Sequence, residues 1–308
     1  MSLDGRPDTG RPDTPPKVGR LGLIGGSGLY RMPALAGGSW TEIDTQWGRP
    51  SDSLLLGEIA GRPVAFLPRH GRGHRLAPDE INYRANIAAL KAVGCDEILA
   101  ISAVGSFRDD LRPGTFVIVD QFVDRTLRQG RSFFGDGIVV HVGFGRPTCG
   151  RLAAPVADAL SALDLPHRTS GTMLVIEGPQ FSTRAESLLH RSQGLDVVGM
   201  TGLPEARLAR EAELCYVSVA MVTDLDAWAD AHVDVAEVVR VLAANAHNAQ
   251  ALVTEVARRT AQRSGVCEAG CDHVLDTAVI TARDAWPEGS RARLATISPR
   301  IFAVAPNS

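Results

Sequence analysis

The chain lacks the features that would mark it as a membrane, secreted or nucleic-acid-binding protein. No uninterrupted apolar run is long enough to cross a bilayer, and residues 1–16 contain no apolar segment of the kind found in secretory signals. The formal net charge is -3, so no excess of positive charge favours nucleic acid or an acidic membrane surface. We therefore expect small molecules, rather than polymers or lipids, to be its partners.

Cysteine is scarce and unevenly placed. Cys95, Cys149, Cys215, Cys267 and Cys271 form an odd set scattered through a long chain, which favours reduced thiols in a cytoplasmic protein over a disulfide framework. Cys267 and Cys271, with His273 nearby, resemble half of a zinc site. Because no second pair occurs at ligand spacing, the spacing favours free thiols and predicts no metal.

What is present is an ordinary globular composition. The 308 residues are 44% apolar and 22% charged, enough to bury a sizeable core. Residues 5–14 read Gly-Arg-Pro-Asp-Thr twice, so we predict a disordered extension over residues 1–17. No linker divides the remainder, and we expect one domain over 18–308.

Hydrophobic patterning predicts strands that alternate with helices, which is typical of an α/β fold. A helix is predicted from Pro78 and Asp79 to Gly94, and another around residues 272–282. Further helices are predicted at 151–163, from about 183, at 204–213 and at 235–261, and strands at 21–24, 64–67, 97–102, 115–120, 172–176, 196–198 and 215–222.

The first predicted strand ends in Gly25-Gly26-Ser27-Gly28. A glycine-rich turn can expose backbone N–H groups to an anion, but it is equally often structural. A dinucleotide-binding fingerprint would need glycine at position 31, where Arg31 stands, and no Walker lysine follows. This departure argues against a dehydrogenase.

Other strand ends carry hydroxyl and basic groups. Arg69 and His70 suit an oxyanion such as phosphate, and Ser102 and Ala103 end a strand where backbone N–H groups and a hydroxyl could complete an anion cradle. Thr201 offers one more hydroxyl. A basic surface loop and a plain tight turn remain alternatives for these segments.

Two segments contain residues suited to a flat, apolar ligand. Phe181, in Glu177-Gly-Pro-Gln-Phe-Ser182, could stack on a ring, although an aromatic at such a place is more often part of the core. Met200 could line a soft apolar pocket.

The apolar run Cys215-Tyr-Val-Ser-Val-Ala-Met-Val stops at Thr223-Asp224-Leu225-Asp226. Burying charge is costly unless a partner pairs with it, and ligands of open α/β sheets bind outside the carboxyl ends of the strands. The pair of carboxylates therefore predicts a ligand rich in hydrogen-bond donors. The alternative is a solvated loop in which Asp224 caps the next helix.

Taken together, the segments resemble the methylthioadenosine phosphorylases of the purine nucleoside phosphorylase superfamily. The resemblance covers roughly residues 18–253. The motifs that carry it, in chain order, are Ile24-Gly-Gly-Ser-Gly28, Pro68-Arg-His-Gly71, Ile81-Asn-Tyr-Arg-Ala-Asn-Ile-Ala-Ala-Leu90, Ser102-Ala-Val-Gly-Ser106, Asp120-Gln-Phe-Val-Asp-Arg-Thr126, Glu177-Gly-Pro-Gln-Phe-Ser182, Met200-Thr201, Pro204-Glu205 and Thr223-Asp-Leu-Asp-Ala-Trp228.

The resemblance implies a single α/β domain with a central mixed β-sheet flanked by helices, and a role for each motif. It implies a homotrimer or a hexamer, inorganic phosphate as co-substrate and no metal or organic cofactor. Its site residues would be Ser27, Arg69, His70, Ser102, Ala103 and Thr201 for phosphate; Met200, Val235 and a neighbouring subunit's His141 for the ribose and its 5′ group; and Phe181, Ser182, Asp224 and Asp226 for the purine, with Asp224 as the catalytic acid.

The activity expected from the resemblance is phosphorolysis of 5′-methylthioadenosine to adenine and 5-methylthioribose 1-phosphate, a reaction of methionine and purine salvage. The alternative is a related phosphorylase that prefers inosine or guanosine, 5′-deoxyadenosine or methylthioinosine. Asp224 favours a 6-aminopurine, because the 6-oxopurine enzymes typically carry an amide there. A non-catalytic nucleoside-binding protein would be expected to lack Arg69, His70 or Asp224, and all three are present.

Overall fold

A mixed β-sheet flanked by helices forms the centre of the molecule, which confirms the predicted α/β fold. The computed structural model describes residues 19–26, 29, 32–229, 235–262 and 265–303. The predicted extension over residues 1–17 lies outside them. Within these ranges the strands are β1 (Arg20–Gly25), β2 (Ser39–Thr41), β3 (Leu54–Ile59), β4 (Arg62–Pro68), β5 (Cys95–Ser106), β6 (Phe116–Val119), β7 (Gln121–Asp124), β8 (His167–Arg168), β9 (Thr172–Val175), β10 (Val197–Gly199) and β11 (Cys215–Asp224).

The helices follow the strands closely in the chain. They are α1 (Tyr83–Ala92), α2 (Gly150–Ala162), α3 (Arg184–Ser192), α4 (Gly202–Glu211), α5 (Val235–Thr260), α6 (Glu288–Leu294) and α7 (Pro299–Phe302). None of the described helices is both long enough and apolar enough to span a membrane.

The sheet is organised around the two long strands β5 and β11. The strand order is β2-β3-β4-β1-β5-β10-β9-β7, while β11 pairs with β5 and β6, and β6 with β8. The pairs β1–β4, β1–β5, β5–β11, β9–β10, β7–β9 and β6–β8 are parallel, and the others are antiparallel.

Both faces of this sheet are covered, which explains why its central strands are apolar runs rather than alternating patterns. Ile98, Ala100 and Val222 pack into the apolar core on one face, together with α1 and α4. Leu99 and Val219 pack into the core on the other face, together with α2 and α5.

Two predicted helices differ from the structure. Helix α1 begins at Tyr83 rather than near Pro78, because the Asn82 side chain accepts a hydrogen bond from the N–H of Ala85 and caps the helix there. The helix predicted over residues 272–282 is wrong, since only a 3₁₀ turn occurs, at Cys271–His273. Val279 instead forms a β-bridge with Val140, which draws this backbone into extended pairing.

The strand predicted over residues 115–120 is β6 (Phe116–Val119), and a second strand that was not predicted, β7, follows at Gln121–Asp124. Strand β5 also continues past the predicted end at Ser102 to Ser106, where Gly105 and Ser106 pair with β10. This extension carries the end of β5 alongside the end of β11, at the edge where polar residues gather.

Candidate active site

The ends of β1, β4, β5, β10 and β11 meet at one cavity of about 320 Å³. Most of the predicted site residues line it. They are Arg69, His70, Ser102, Ala103, Phe181, Ser182, Met200, Thr201, Asp224 and Asp226, joined by Gly26, His74, Pro78, Val104, Gly105, Ile176, Pro179, Val198, Gly199, Thr223 and Leu242.

Arg69 is fully buried, and most of its guanidinium group is already paired. Its Nε and Nη2 donate to the two carboxylate oxygens of Glu205 over 2.7 and 2.9 Å, and its Nη1 donates to the Ile101 carbonyl over 3.0 Å. The Tyr216 hydroxyl donates to the same carboxylate over 2.9 Å. Despite burial, the charge of Glu205 raises the pKa of Arg69 well above its usual range.

This pairing changes how Arg69 can act. A guanidinium group has five N–H donors, and three are used within the described residues. The Nε and Nη2 edge of the guanidinium group, which could have donated two hydrogen bonds to phosphate, binds Glu205 instead. Arg69 can therefore offer an anion its remaining N–H groups and its charge. Glu205 was part of a quoted motif but was not predicted as a site residue.

His70 is buried and uncharged near neutral pH. Burial lowers its pKa to about 4. Its Nδ1 lies 2.9 Å from the Leu76 carbonyl oxygen, and its ring stacks on His74 with centroids 4.4 Å apart. Because a carbonyl only accepts hydrogen bonds, Nδ1 carries the proton and Nε2 is an acceptor.

Two hydroxyl groups lie at the same end of the cavity. The Oγ of Ser102 and the Oγ1 of Thr201 are 3.5 Å apart, and both side chains are buried. Thr201 precedes α4, yet its side chain makes no capping hydrogen bond with that helix. With Gly26 and Ala103 beside them, the hydroxyl groups of Ser102 and Thr201 form a small polar cradle.

Asp224 is oriented by its neighbour in the chain. Thr223 is an extra residue in the β11–β5 pairing, and such a bulge redirects side chains at a strand end. Its Oγ1 lies 2.7 Å from Oδ1 of Asp224 and 3.1 Å from the Val104 carbonyl oxygen. Burial raises the pKa of Asp224, the hydrogen bond with Thr223 acts in the opposite direction, and the charge of Asp226 raises the pKa further. Sequence reasoning named Thr223 only as part of a motif.

Asp226 is buried and lacks a partner on one oxygen. Its Oδ2 makes no hydrogen bond within the described part of the chain. Burial raises its pKa, while Ser187 and Ser182 act in the opposite direction. The loop is held by Trp228, whose Nε1 donates to the Ser106 carbonyl over 2.7 Å. An unpaired carboxylate oxygen fixed in this way is suited to a ligand that donates a hydrogen bond.

The apolar residues that line the cavity lie at its rim and wall. Phe181 is 74% exposed and lines the cavity, so the alternative that this aromatic belongs to the core is wrong, and its predicted contact with a ligand stays a prediction. Met200 packs close to Gly178, where an added Cβ would lie 2.5 Å from the methionine sulfur. Gly178 also has a φ of +67°, so two independent constraints favour glycine there.

Three predicted site residues are not among the described residues that line this cavity. Ser27 and the side chain of Val235 lie outside what the structure describes. His141 is exposed, and its backbone N–H donates to the Ala278 carbonyl over 2.9 Å. The expectation for His141 concerned the pocket of a neighbouring subunit, so its role stays a prediction.

Gly105 allows the two carboxylates to approach the strand, and this leads to a prediction. A Cβ at Gly105 would lie 3.2 Å from Oδ2 of Asp224, 3.3 Å from Cβ of Asp226 and 3.1 Å from Val198. We expect Gly105→Ala to displace the carboxylates. It should lower kcat/KM for the expected substrate, 5′-methylthioadenosine, by roughly tenfold or more, since small misplacements are costly in catalysis. Steady-state kinetics would measure this. Gly37→Ala, with no atom within 4 Å of its new Cβ, should leave kcat/KM unchanged, and equal kinetics for the two variants would contradict the role of Gly105.

Comparison with known proteins identifies the family. The profile of the phosphorylase superfamily matches residues 20–258. The S-methyl-5′-thioadenosine phosphorylase of Cereibacter sphaeroides is 49% identical over 92% of this chain and 98% of its own. That of Koribacter versatilis is 50% identical over 92% of this chain and 96% of its own. The chain belongs to the methylthioadenosine phosphorylase family.

Solved structures of family members share the fold. A methylthioadenosine phosphorylase from an Antarctic soil metagenomic library superposes with a TM-score of 0.85 at 41% identity, covering 92% of this chain and all of the other. The methylthioadenosine phosphorylase of Schistosoma mansoni, solved in complex with adenine, has a TM-score of 0.77 at 33% identity, covering 86% of this chain and 99% of the other. The predicted nucleoside phosphorylase-like fold and family are thereby confirmed.

Proposed function

We propose that the chain catalyses phosphorolysis of 5′-methylthioadenosine to adenine and 5-methylthioribose 1-phosphate. The relatives carry the name of this activity. The observation that carries the proposal is a single cavity with two unlike groups of residues. Arg69, His70 and two hydroxyl groups suit an anion, while Asp224 and the unpaired Oδ2 of Asp226 suit the edge of a 6-aminopurine.

The phosphate would bind among Arg69, His70, Ser102, Ala103 and Thr201, with Ser27 as a further predicted contact. Arg69 contributes charge from a buried position, where Coulomb attraction is screened less than in water. The hydroxyl groups of Ser102 and Thr201 can donate to phosphate oxygens. Because His70 is neutral and its Nε2 accepts, it is suited to the O–H of monohydrogen phosphate.

The purine would lie between Phe181 and Ser182, with its N7 and 6-amino edge toward the carboxylates. A protonated Asp224 donates to N7, and Asp226 accepts from the amino group. The raised pKa of Asp224 favours its protonated form in the cavity. As a phosphate oxygen bonds to C1′, the bond from C1′ to N9 breaks and the proton of Asp224 passes to N7. Adenine then leaves as a neutral base.

The ribose and its 5′ group would contact Met200, with Val235 and a neighbouring subunit's His141 completing the pocket. This arrangement requires an assembly of at least two chains, and the homotrimer or hexamer that the resemblance implies is part of the proposal. Inorganic phosphate is the co-substrate, and the predicted chemistry uses no metal or organic cofactor. The predicted cytoplasmic location stays a prediction.

A direct test compares nucleosides with and without phosphate. We expect free adenine from 5′-methylthioadenosine only when phosphate is present, with 5′-deoxyadenosine also accepted because an apolar pocket discriminates weakly against a missing group. Free base can be measured by chromatography for these two substrates and for adenosine and inosine. Faster cleavage of inosine than of every adenine nucleoside would favour the 6-oxopurine activity instead. Purine binding without turnover would favour a binding protein.

A further inference from the structure

Four of the five cysteines come together in one buried cluster far from the cavity. Cys149 directly precedes α2, Cys215 begins β11, and Cys267 and Cys271 belong to the segment that follows α5. All four are buried, and their sulfur atoms lie within 4.8 Å of one another. The sequence showed only one pair of cysteines at ligand spacing, Cys267 and Cys271. The fold supplies a second pair, Cys149 and Cys215, which are distant from each other in sequence.

The separation of the sulfur atoms suits a shared metal ion better than disulfides. The sulfur atoms of Cys149 and Cys267 are 3.7 Å apart, much longer than the ~2.05 Å of a disulfide bond. Four thiolates at ~2.3 Å from a central zinc ion in a tetrahedron would be about 3.8 Å apart. The measured separation is close to this tetrahedral edge, and the 4.8 Å limit leaves room for one ion.

The chain around the second pair resembles a metal-binding turn. Cys267 and Cys271 are separated by three residues, within the two to four usual for zinc ligands on one turn. Gly270 has a φ of +72° and its N–H donates to the Cys267 carbonyl over 2.8 Å, which folds the turn back on itself. This turn presents both sulfur atoms to Cys149 and Cys215.

The surrounding charges suit a dianionic metal centre. A divalent ion bound by four thiolates carries a net charge of minus two. Arg210 donates through Nη1 to the sulfur of Cys271 over 3.6 Å, and the guanidinium group of Arg151 lies beside Cys215 and Cys267. Two arginine cations beside the cluster would therefore offset its charge.

We propose that Cys149, Cys215, Cys267 and Cys271 bind one structural zinc ion. A site with four protein ligands is closed, as in structural zinc sites, and leaves no position for a substrate. Cys215 and Asp224 stand at opposite ends of β11, about 30 Å apart by the rise of a ten-residue strand. The ion would thus stabilise the fold rather than take part in the reaction.

The ion would tether the chain after α5 to the sheet. That segment continues to Ala278 and Val279, which bond to His141 and Val140. Metal binding would therefore support the backbone that carries His141. The nearby His273 is outside the cluster, because its ring faces Asp272 and Asp276 at the surface.

The test measures metal and thiols in the full-length protein purified without chelator. Elemental analysis should find about one zinc ion per chain. A mercurial reagent that reacts with the four cysteine thiolates should release this zinc in proportion to the thiolates modified. After replacement by Co²⁺, we expect the intense visible absorption of a tetrahedral thiolate site. The double variant Cys267→Ser, Cys271→Ser should lose the metal, while Cys95→Ser, which changes the buried cysteine outside the cluster, should keep it.

Each outcome bears on the proposal. Protein that binds no zinc after incubation with the metal alone, and yields five free thiols on denaturation, would overturn it. So would iron in place of zinc, or a mass lower by the hydrogens lost to disulfides. If the double variant does not fold, the zinc content and cobalt spectrum of the unaltered protein still decide. Phosphorolysis is measured separately, so failure of either proposal leaves the other intact.

Discussion

Replacing Asp224 by Asn is expected to lower kcat/KM for 5′-methylthioadenosine by about 10²- to 10⁴-fold, the range typical for loss of a general acid. The variant keeps the size of the side chain, and its amide can still bond to Thr223. What it loses is a proton that can be transferred to N7. Because catalysis uses the protonated acid, the activity of the unaltered enzyme should fall as pH rises through the raised pKa of Asp224. Steady-state kinetics across pH would show both effects.

The same variant also tests base selectivity. An amide both donates and accepts, so it suits the N7 and O6 edge of a 6-oxopurine. We therefore expect the ratio of kcat/KM for inosine to that for 5′-methylthioadenosine to rise in Asp224→Asn. Asp158→Asn, which changes an exposed carboxylate on α2 that does not line the cavity, is the matched control and should leave both values unchanged. Unaltered turnover by Asp224→Asn would remove its role as the acid.

The gathering of the site residues at one edge of the sheet could be predicted from the sequence, because the end of each strand is visible as the end of an apolar run. Arg69, Ser102, Thr201 and Asp224 each stand at the end of an apolar run that reads as a strand. Ligands of open α/β sheets bind at the carboxyl ends of the strands. Because each of these residues lies at or just after the end of a predicted strand, we could expect them to meet at one edge of the sheet. The sheet flanked by helices was expected only from the resemblance, and the apolar strands β5 and β11 agree with it because both faces of the sheet are covered.

The features that sequence reasoning missed are contacts between distant parts of the chain. Glu205 pairs with Arg69 across 136 residues, and neither local pattern indicates that the two charges meet. The helix predicted over 272–282 failed because Val279 is drawn into pairing with Val140. The four cysteines meet only after α2, β11 and the chain beyond α5 are packed together. Such partnerships are set by tertiary structure, which overrides local propensity.

The second large effect is expected in stability, from Glu205→Gln. The change leaves the buried guanidinium of Arg69 without its carboxylate and deprives the Tyr216 hydroxyl of a charged acceptor. Removing one partner of a buried ion pair costs about 3–5 kcal/mol, because the other charge stays buried and uncompensated. Urea unfolding at one fixed protein concentration should therefore show a much lower midpoint with an unchanged slope.

A matched change at the surface separates burial from loss of charge. Glu255 pairs with Arg258 and Arg259 on α5, and those guanidinium groups remain accessible to water. Glu255→Gln should cost no more than about 1 kcal/mol, since exposed ion pairs contribute little. If both variants unfold at the same urea concentration, the Arg69–Glu205 pair is not a main support of the cavity. If only Glu205→Gln is destabilised and its KM for phosphate also changes, the carboxylate both stabilises the fold and positions the arginine for the anion.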